Sequence, residues 1–385
     1  MEKKTYLNLI LLLVILFPLN LFAQQDGPRD ENPDNTINSS WEFYSDNKLS
    51  TISASKGYTG VASLGDISSI TLNPASLNVD KRFNTNASYS YKTSIDYPPN
   101  FSYNSYLRNA LPSFSAGGGY RINENFQVGL AYQNNYSYKM VYDVIYTNEF
   151  GVEIGRGEDY YKFASHSFLV PLVFNYEWFR LGSNLNLTYL RGDFSSGEGI
   201  NYPNYPITGK GELWCFIPQV GFIITPNEYI SLGASYTFGF SGKSTWEYNK
   251  FFITPQSLYC VIPSRLSAGI ESKLLENKLK LSLEYHYANT SAIFNLEDKN
   301  NIHVGAEYSI DNSWIVRGGF FTLFDFSDID GAWVDSSTFD QFFITVGGTY
   351  KYKGLAFNVA LLSSSLTSSS GVKHSIINAG IGFDF

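Results

Sequence analysis

The amino-acid sequence predicts an all-β fold, namely a 14-stranded antiparallel transmembrane β-barrel plugged by an N-terminal hatch. Three observations predict it: a secretory leader, a composition with 17% aromatic but only 16% charged residues, and long segments in which apolar and polar residues alternate. Alternation with a period of two is typical of a strand whose two faces meet different surroundings. Many of these segments exceed the roughly 5 to 6 residues of a soluble strand, which favours strands that cross a bilayer.

The first residues indicate a signal peptide. Lys3 and Lys4 precede an apolar stretch that begins at Leu7, and a small residue, Ala23, follows it. This order of positive, apolar and small residues is typical of a secretory signal. The apolar stretch is shorter than the roughly 20 residues of a spanning helix, which argues against a membrane anchor. We assign residues 1–23 to the signal peptide and expect the mature chain in the outer membrane of a Gram-negative bacterium.

The alternation divides most of the remaining chain into strands. From Ile230 to Ser241 the even positions through Phe240 are apolar and the odd positions are mostly small or polar, so we expect Phe240 to face lipid. Predicted strands span residues 83–93, 113–122, 126–146, 160–176, 178–195, 208–225, 229–247, 257–275, 278–292, 300–310, 313–327, 339–352, 354–366 and 372–385. Short turns alternate with longer connections, and in outer-membrane barrels the short turns face the periplasm. Residues 24–82 are assigned to an N-terminal tail and hatch, and residues 83–385 to the barrel.

Charge and cysteine content exclude several classes of protein. The net charge is −8 and no basic cluster appears, which argues against a nucleic-acid partner. Cys215 and Cys260 show no metal-ligand spacing with the four histidines, so we predict no metal site and no cofactor. The acidic stretch DFSDIDGAWVD at 325–335 lacks the spacing of a calcium loop and is interpreted as a solvated loop.

One segment ahead of the first strand indicates what occupies the barrel. Residues 57–80, GYTGVASLGDISSITLNPASLNVD, are small, rich in glycine and nearly uncharged. A barrel of this predicted size is too wide to be filled by its own side chains, and glycines allow a backbone to pass close to the wall. We therefore expect this segment to lie inside the barrel as a plug.

The same segment resembles a known family. VASLGDISSITLNPASL is similar to the N-terminal hatch signature of the FadL/TodX family of outer-membrane transporters for long-chain fatty acids and other hydrophobic compounds. Asn73, Pro74 and Ala75 match the Asn-Pro-Ala triplet of that signature, and Gly65 and Asp66 match the part before it. Pieces similar to the family's strand-turn-strand units lie at 217–238, 262–274 and 311–321. The resemblance implies passive uptake of a hydrophobic or fatty-acid ligand through a lumen gated by these five hatch residues.

The external loops depart from the family pattern. Family members carry helices in two long external loops, which form a docking groove, whereas the loops near 196–207 and 248–256 are too short for such helices. Plug-bearing barrels of gliding and secretion systems also carry an Asn-Pro-Ala near the N-terminus. The alternative function is therefore a docking platform for a protein secretion or surface-attachment system, with a protein partner. In the family a kink in the third strand opens the wall toward membrane lipid, and Asn134-Asn135 is the candidate break here.

The inward side of the predicted barrel is partly apolar. The strand phases direct six candidate hydrophobic lumen residues inward: Leu169, Val173, Leu213, Ile217, Phe321 and Leu323. A water-filled channel should have a polar lumen, so these residues either line a cavity for a hydrophobic ligand or pack against the hatch. Arg265 and Arg317 share the inward phase, where an unpaired charge is costly. Each pairs either with an inward carboxylate, such as Glu271, Glu284 or Glu307, or with the carboxylate of a fatty acid.

Histidines and serines raise the question of catalysis. His286 and His303 face inward on neighbouring predicted strands, and serines are abundant. No Gly-x-Ser-x-Gly elbow accompanies them, so hydrogen bonding in the lumen explains these histidines better than a catalytic role. We predict no catalytic residue, and we interpret the chain as a transporter in contact with outer-membrane lipid and not as an enzyme.

Overall fold

The computed structural model describes residues 50–96, 105–106, 113–147, 150, 152–198, 207–248, 256–292, 298–324, 341–366 and 373–385. The predicted signal peptide, the tail up to residue 49 and the acidic stretch at 325–335 lie outside these ranges.

Within these ranges one antiparallel sheet contains eighteen β-segments. The segments are β1 (Phe83–Asp96), β2 (Ser105–Tyr106), β3 (Ser113–Arg121), β4 (Phe126–Thr147), β5 (Glu153–Tyr176), β6 (Phe179–Glu198), β7 (Ile207–Phe216), β8 (Gln219–Asn227), β9 (Ile230–Thr237), β10 (Phe240–Tyr248), β11 (Gln256–Ile262), β12 (Arg265–Leu274), β13 (Leu279–Ala288), β14 (Lys299–Ser309), β15 (Trp314–Leu323), β16 (Gln341–Tyr352), β17 (Leu355–Ser363) and β18 (Lys373–Asp384). The helical elements of the same ranges are α1 (Thr51–Ser55) and the 3-10 turns Ile67–Thr71, Pro74–Ser76 and Thr290–Ala292. None of these described helices is long and apolar enough to cross a membrane.

The sheet closes on itself. β1 pairs with β3 on one side and with β18 on the other. Three strands of the barrel each consist of two segments: β7 with β8, β9 with β10, and β11 with β12. The short segment β2 pairs with β4, the strand that also pairs with β3, and is therefore counted with β3 as one strand. Counted over the described residues, fourteen antiparallel strands surround the barrel axis. This confirms the predicted fold class and strand number.

Aromatic rings mark two levels on the outer face of the barrel. Phe114, Tyr132, His166, Tyr189 and Trp214 form a row across five adjacent strands, with neighbouring ring centroids 4.9 to 6.4 Å apart. Further ring pairs lie near the short turns and the C-terminus: Phe83–Phe385, Phe126–Phe174 and Trp314–Tyr350. Exposed aliphatic side chains fill the outer face between these levels: Leu172, Leu232, Leu283, Val304, Val346 and Val359. An apolar band flanked by aromatic rings is the lipid-facing surface of a transmembrane barrel.

Three adjacent strands are interrupted. Pro218 lies between β7 and β8, Gly239 between β9 and β10, and Pro263 between β11 and β12. A proline has no backbone N–H to donate to a ladder. The side-chain phase shifts by one residue at the second interruption, so Phe240 packs with the buried Cys260 on the inner side. The prediction that Phe240 faces lipid is therefore wrong, because an apolar-polar pattern can continue through a bulge that reverses the two faces.

The third strand also carries an irregularity. The register of β4 against β5 shifts between Gln133 and Tyr136, so Asn134 and Asn135 leave the regular ladder. An extra residue of this kind bends a strand locally. The shift lies where the sequence suggested a break. A smaller difference concerns β13, which ends at Ala288 before a 3-10 turn and not at residue 292.

Candidate functional site

The plug segment, defined as residues 50–82, lies inside the barrel. α1 packs against β15 to β18, the turn Ile67–Thr71 against β1, β3 and β4, and the turn Pro74–Ser76 against β5, β6 and β8. Hydrogen bonds reach the remaining strands: Gly57 to β14, Gly60 to β13, Ser63 to β12 and Leu72 to β9. The plug segment therefore touches every strand of the barrel. Most of its residues are buried, including Ile67, Leu72, Asn73 and Leu77.

Glycines on the inner wall make room for this segment. A Cβ at Gly182, Gly233 or Gly319 would overlap the backbone of Ala75, Val61 or Gly57, respectively. A Cβ at seven further inward glycines would crowd side chains of the plug segment, and at Gly305 also the backbone oxygen of Lys56; the seven are Gly117, Gly119, Gly129, Gly221, Gly305, Gly347 and Gly380. We call these ten residues the glycine belt. Without a Cβ at Gly182, Gly233 and Gly319 two backbones can meet at van der Waals distance, and at the other positions side chains of the plug segment can reach the wall.

Asn73 and its neighbours fix the centre of the plug segment. The Asn73 amide Nδ2 donates to Val61 O at 2.7 Å and lies 3.0 Å from Phe222 O and 3.3 Å from Ala234 O on the wall. Its Oδ1 accepts from Ala75 N at 3.0 Å and so caps the turn Pro74–Ser76. Pro74 occupies the first position of that turn, where its fixed φ is favourable and its missing N–H costs nothing.

Gly65 and Asp66 hold the segment to itself and to the first strand. Gly65 N donates to Ser76 O at 2.8 Å. The Asp66 carboxylate caps the turn Ile67–Thr71 by accepting from Ser68 N at 2.9 Å, and it accepts from Asn86 Nδ2 of β1 at 2.7 Å. Burial raises the pKa of the Asp66 carboxyl, against hydrogen bonds from Ser68 and Asn86 that lower it. Asp66, Asn73, Pro74 and Ala75 thus lie in or cap the two 3-10 turns of the plug segment, and Gly65 forms a β-bridge with Leu77.

A cavity of about 130 Å³ lies between the plug segment and the wall. Its apolar lining comes from Tyr58, Leu72, Leu169, Phe321 and Leu323. Its polar lining includes Arg265, Lys299, His286, His303, Asn301 and Gln219. Among the described residues that line it, cationic groups and histidines occur and no aspartate or glutamate does. The cavity therefore offers an apolar surface together with positive charge.

The structure separates the six predicted lumen residues into three groups. Leu169, Phe321 and Leu323 line the cavity. Val173 packs against Ile67, Leu77 and Val79 of the plug segment, in a cluster that Leu169 shares. Leu213 and Ile217 belong to a third cluster, together with Leu190, Cys215 and Cys260, near the interrupted strands. Cavity lining thus describes Leu169, Phe321 and Leu323, packing against the plug describes Val173 and Leu169, and neither interpretation describes Leu213 and Ile217.

The two predicted arginines have different surroundings. Arg265 lines the cavity. Arg317 is only 3% exposed and lies in an ion pair, with its Nε 2.6 Å from Glu307 Oε2 and its Nη1 2.6 Å from Thr349 Oγ1. Glu307 also accepts from Lys280 Nζ at 2.8 Å. The alternative that an inward arginine pairs with an inward carboxylate therefore describes Arg317.

The histidines and Glu284 connect the cavity to the plug segment. The rings of His286 and His303 have centroids 4.1 Å apart, and the His303 ring stacks on Phe321 at 5.4 Å. His303 Nδ1 donates to Gly57 O at 2.7 Å. Glu284, buried on the next strand, accepts from Gly60 N at 2.6 Å.

Sequence reasoning missed Lys299 and Asn301 as cavity residues. Both lie on β14 in phase with His303, so the period-two pattern could have identified them. The predicted strand began at residue 300 and left Lys299 in a loop. Among the described residues, no group of three or more histidine, cysteine, aspartate or glutamate side chains is placed to hold a metal ion.

The fold and the buried segment together define a plugged transmembrane β-barrel. No family profile and no curated protein matches the chain. Among solved structures it is similar to a Pseudomonas aeruginosa FadL homologue, with a TM-score of 0.66 and 14% identity over 87% of this chain and 98% of that one. It is also similar to the monoaromatic hydrocarbon channel CymD (TM-score 0.59, 14% identity, 87% and 97% of the two chains). The toluene transporter TodX of Pseudomonas putida gives a TM-score of 0.57 at 12% identity over 86% and 96%. The chain therefore has the FadL-type barrel fold.

Proposed function

We propose that this chain is an outer-membrane channel for the passive uptake of hydrophobic compounds, with long-chain fatty acids as its preferred ligands. The observation that carries the proposal is the cavity beside the plug segment, whose lining combines apolar side chains with Arg265 and Lys299 and contains no carboxylate among the described residues. In this proposal residues 50–82 act as the hatch that controls passage through the lumen.

The cavity lining suits an amphiphilic ligand. Leu72, Leu169 and Phe321 offer apolar contact, and each buried methylene of a ligand contributes about 0.8 kcal/mol of transfer free energy. The guanidinium of Arg265 can bind a carboxylate through two parallel hydrogen bonds. Arg317 does not share this role, since it does not line the cavity. We therefore assign the fatty-acid carboxylate to Arg265 and the acyl chain to the apolar side of the cavity.

The similar solved structures support the broader class of ligand. They are a FadL homologue, a monoaromatic hydrocarbon channel and a toluene transporter. Hydrophobic uptake is common to the two named channels, and both of their named ligands are uncharged. The positively charged side chains of the cavity, Arg265 and Lys299, favour a fatty acid over a neutral hydrocarbon in this chain.

Uptake by cells tests this function. A Gram-negative host without its own fatty-acid transporter would express the full chain, the variant Arg265→Gln, or the variant Lys162→Gln, which removes an exposed positive charge from the outer face of β5. Uptake of radiolabelled oleate and toluene is measured. We expect the chain to raise uptake of both compounds, and Arg265→Gln to lower oleate uptake by about tenfold, the value of one charge-assisted hydrogen bond, with toluene unchanged.

The control variant Lys162→Gln should match the unmodified chain with both compounds. If cells that express the chain take up neither compound faster than the empty host does, the proposed function is contradicted. Equal loss of oleate and toluene uptake in Arg265→Gln would contradict the assignment of the carboxylate to Arg265.

A further inference from the structure

Charged and aromatic side chains lie together on the outer face of β6, β7 and β10. Trp214 of β7 is 55% exposed, and its ring packs on Tyr189 of β6 with centroids 4.9 Å apart. Arg191 continues the outward phase of Tyr189, and its side chain is 43% exposed. Lys243 of β10 is also exposed on this face. We call Arg191, Trp214 and Lys243 the outer patch.

The register places the two cations of the outer patch on either side of the tryptophan. Arg191 of β6 and Thr245 of β10 both pair with Glu212 of β7. Trp214 follows Glu212 by two residues, and Lys243 precedes Thr245 by two residues. Because the strands are antiparallel, Trp214 and Lys243 lie near the same level. Arg191 and Lys243 are separated by two strand spacings, which is roughly 10 Å.

The outer patch lies at the outer border of the apolar band. From Phe179 at a short turn to Tyr189, β6 rises roughly 25 Å along the membrane normal, at roughly 3.3 Å per residue and a strand tilt of about 40°. This rise equals the height of the apolar band of an outer-membrane barrel, about 25 Å. The exposed side chains of Leu187 and Phe216 lie just inside the border, and Arg191 lies just beyond it. Because the short turns face the periplasm, the outer patch is level with the head groups of the outer leaflet.

Two carboxylates beside the outer patch are bonded within the protein. Asp193 accepts from Nε and Nη2 of Arg191 at 3.1 and 3.2 Å. These bonds fix the plane of the guanidinium and leave its Nη1 for an anion. Glu212 forms a hydrogen bond with the hydroxyl of Tyr189. The remaining outward charges of β7 and β10 lie opposite each other and farther from the apolar band: Lys210 and Glu247.

We propose that the outer patch binds a phosphorylated glycolipid of the outer leaflet. One phosphate binds the guanidinium of Arg191, and a second phosphate binds the ammonium of Lys243. The sugar rings between the two phosphates lie over the exposed ring of Trp214, and the acyl chains run along Leu187 and Phe216. Basic side chains at the membrane surface attract anionic head groups. A head group with a single phosphate reaches only one of two cations that are roughly 10 Å apart.

This site is independent of the proposed function. It concerns a lipid that surrounds the barrel, whereas uptake concerns a compound that passes through the lumen. The binding of lipid to the purified protein therefore tests the site without any measurement of uptake.

Native mass spectrometry of the full chain in a neutral detergent measures the binding of three probes. The probes are lipid A with two phosphates, lipid A with one phosphate, and phosphatidylglycerol. We expect lipid A with two phosphates to bind about fivefold more tightly than lipid A with one, which is the effect of one basic residue on an anionic lipid. Phosphatidylglycerol, which has one phosphate and no sugar ring, should bind more weakly than either form of lipid A.

Three variants assign the contacts. Arg191→Gln and Lys243→Gln each remove one phosphate contact, so each should weaken the binding of lipid A with two phosphates by about fivefold. Trp214→Leu keeps an apolar side chain but removes the aromatic ring, so it should weaken the binding of both forms of lipid A. Lys278→Gln is the matched control, because Lys278 is an exposed lysine at a short turn on the opposite end of the barrel. It should bind all three probes as the unmodified chain does.

Equal binding of the three probes to the unmodified chain would refute the site and indicate a general attraction for anionic lipid. An equal loss of binding in Lys243→Gln and Lys278→Gln would refute it as well. The comparison of the probes uses the unmodified chain, so it decides the question even if a variant does not fold.

Discussion

Two arginines with the same position in the sequence pattern have different roles in the structure. Arg265 and Arg317 both occupy inward positions on their strands, and the sequence left open whether each meets a carboxylate of the protein or of a ligand. Arg317 is held between Glu307 and Thr349, whereas Arg265 lines the cavity. The period-two pattern fixes the face on which a side chain lies, but not its height relative to the neighbouring strands, which depends on their register.

The Arg317 pair gives a prediction for stability. Arg317→Ala leaves the buried Glu307 carboxylate with less positive charge around it. Removing one partner of a buried ion pair typically lowers the free energy of unfolding by about 3 to 5 kcal/mol. We expect a lower midpoint in urea unfolding of the protein from lipid vesicles. Arg121→Ala, at the end of β3 and more exposed, serves as the control and should change the midpoint little.

The double variant Arg317→Met/Glu307→Leu separates charge from packing. Replacing both partners of a buried pair by apolar residues is often neutral or stabilising. Lys280, the other partner of Glu307, has a side chain that is 33% exposed and can keep its charge in water, so the double variant should recover much of the stability that Arg317→Ala loses. A double variant as unstable as Arg317→Ala would indicate that packing, not the unpaired charge, causes the loss.

At the level of strands, the sequence predicted the inner faces well and most of the bounds, but β5 begins at Glu153 and not at the predicted residue 160. The inward positions of Leu169, Phe321 and His303 follow from alternation alone, because a strand in a closed barrel separates two very different surroundings. Phe240 is the exception, since the break at Gly239 reverses the faces of β10. Register and bulges depend on contacts between strands that are distant in the sequence, and local alternation does not contain that information.

The glycine belt is a feature of strands that the sequence pattern did not reveal. Gly233 was visible as part of the small, polar face of its strand, but the path of the plug segment against it was not. The ten glycines lie on nine β-segments, and their shared contact with the plug segment appears only when the barrel brings these segments together.

A pair of adjacent glycines in β15 tests the belt. Gly319→Ala places a Cβ on the backbone of Gly57, whereas a Cβ at Gly318 has its nearest heavy atom, Thr345 O, at an ordinary 3.7 Å. Overpacking of this kind costs roughly 1 to 3 kcal/mol. We expect Gly319→Ala to accelerate hydrogen exchange of peptides covering α1 and Gly57, and Gly318→Ala to leave their exchange unchanged. Equal exchange in the two variants would show that the plug does not depend on the close approach.

At the level of the whole molecule, we expect the plug segment to decide whether the lumen is open. It contacts every strand, yet closure of the sheet depends on pairing between β1 and β18, which does not involve it. Deletion of residues 50–79 should therefore leave a closed barrel of fourteen strands, a size at which side chains no longer fill the interior. We expect large, steady conductance in planar bilayers.

Deletion of residues 24–49, which keeps the plug segment, is the control for that experiment. It should conduct as little as the full mature chain. Conductance that does not rise when residues 50–79 are removed would show that something other than the plug segment closes the lumen.

The sequence predicted the fold of the whole barrel better than the residues of the cavity. The number of strands and the presence of one segment inside the barrel follow from alternation, length and composition. The cavity depends on residues from distant strands, such as Arg265, Lys299 and Phe321, which converge only through the shear and closure of the barrel. Asn73 was matched by resemblance, and its contacts with Val61 and the wall became visible only in the structure.

The seating of the plug segment bears on how this protein is made. Residues near Thr51 rest against β18, so a segment that precedes β1 in the chain completes its contacts only beside a strand that is synthesised much later. Until β18 is present, this small, glycine-rich stretch lacks part of its binding surface. Closure of the sheet between β1 and β18 and docking of the plug segment against β18 therefore depend on the same strand.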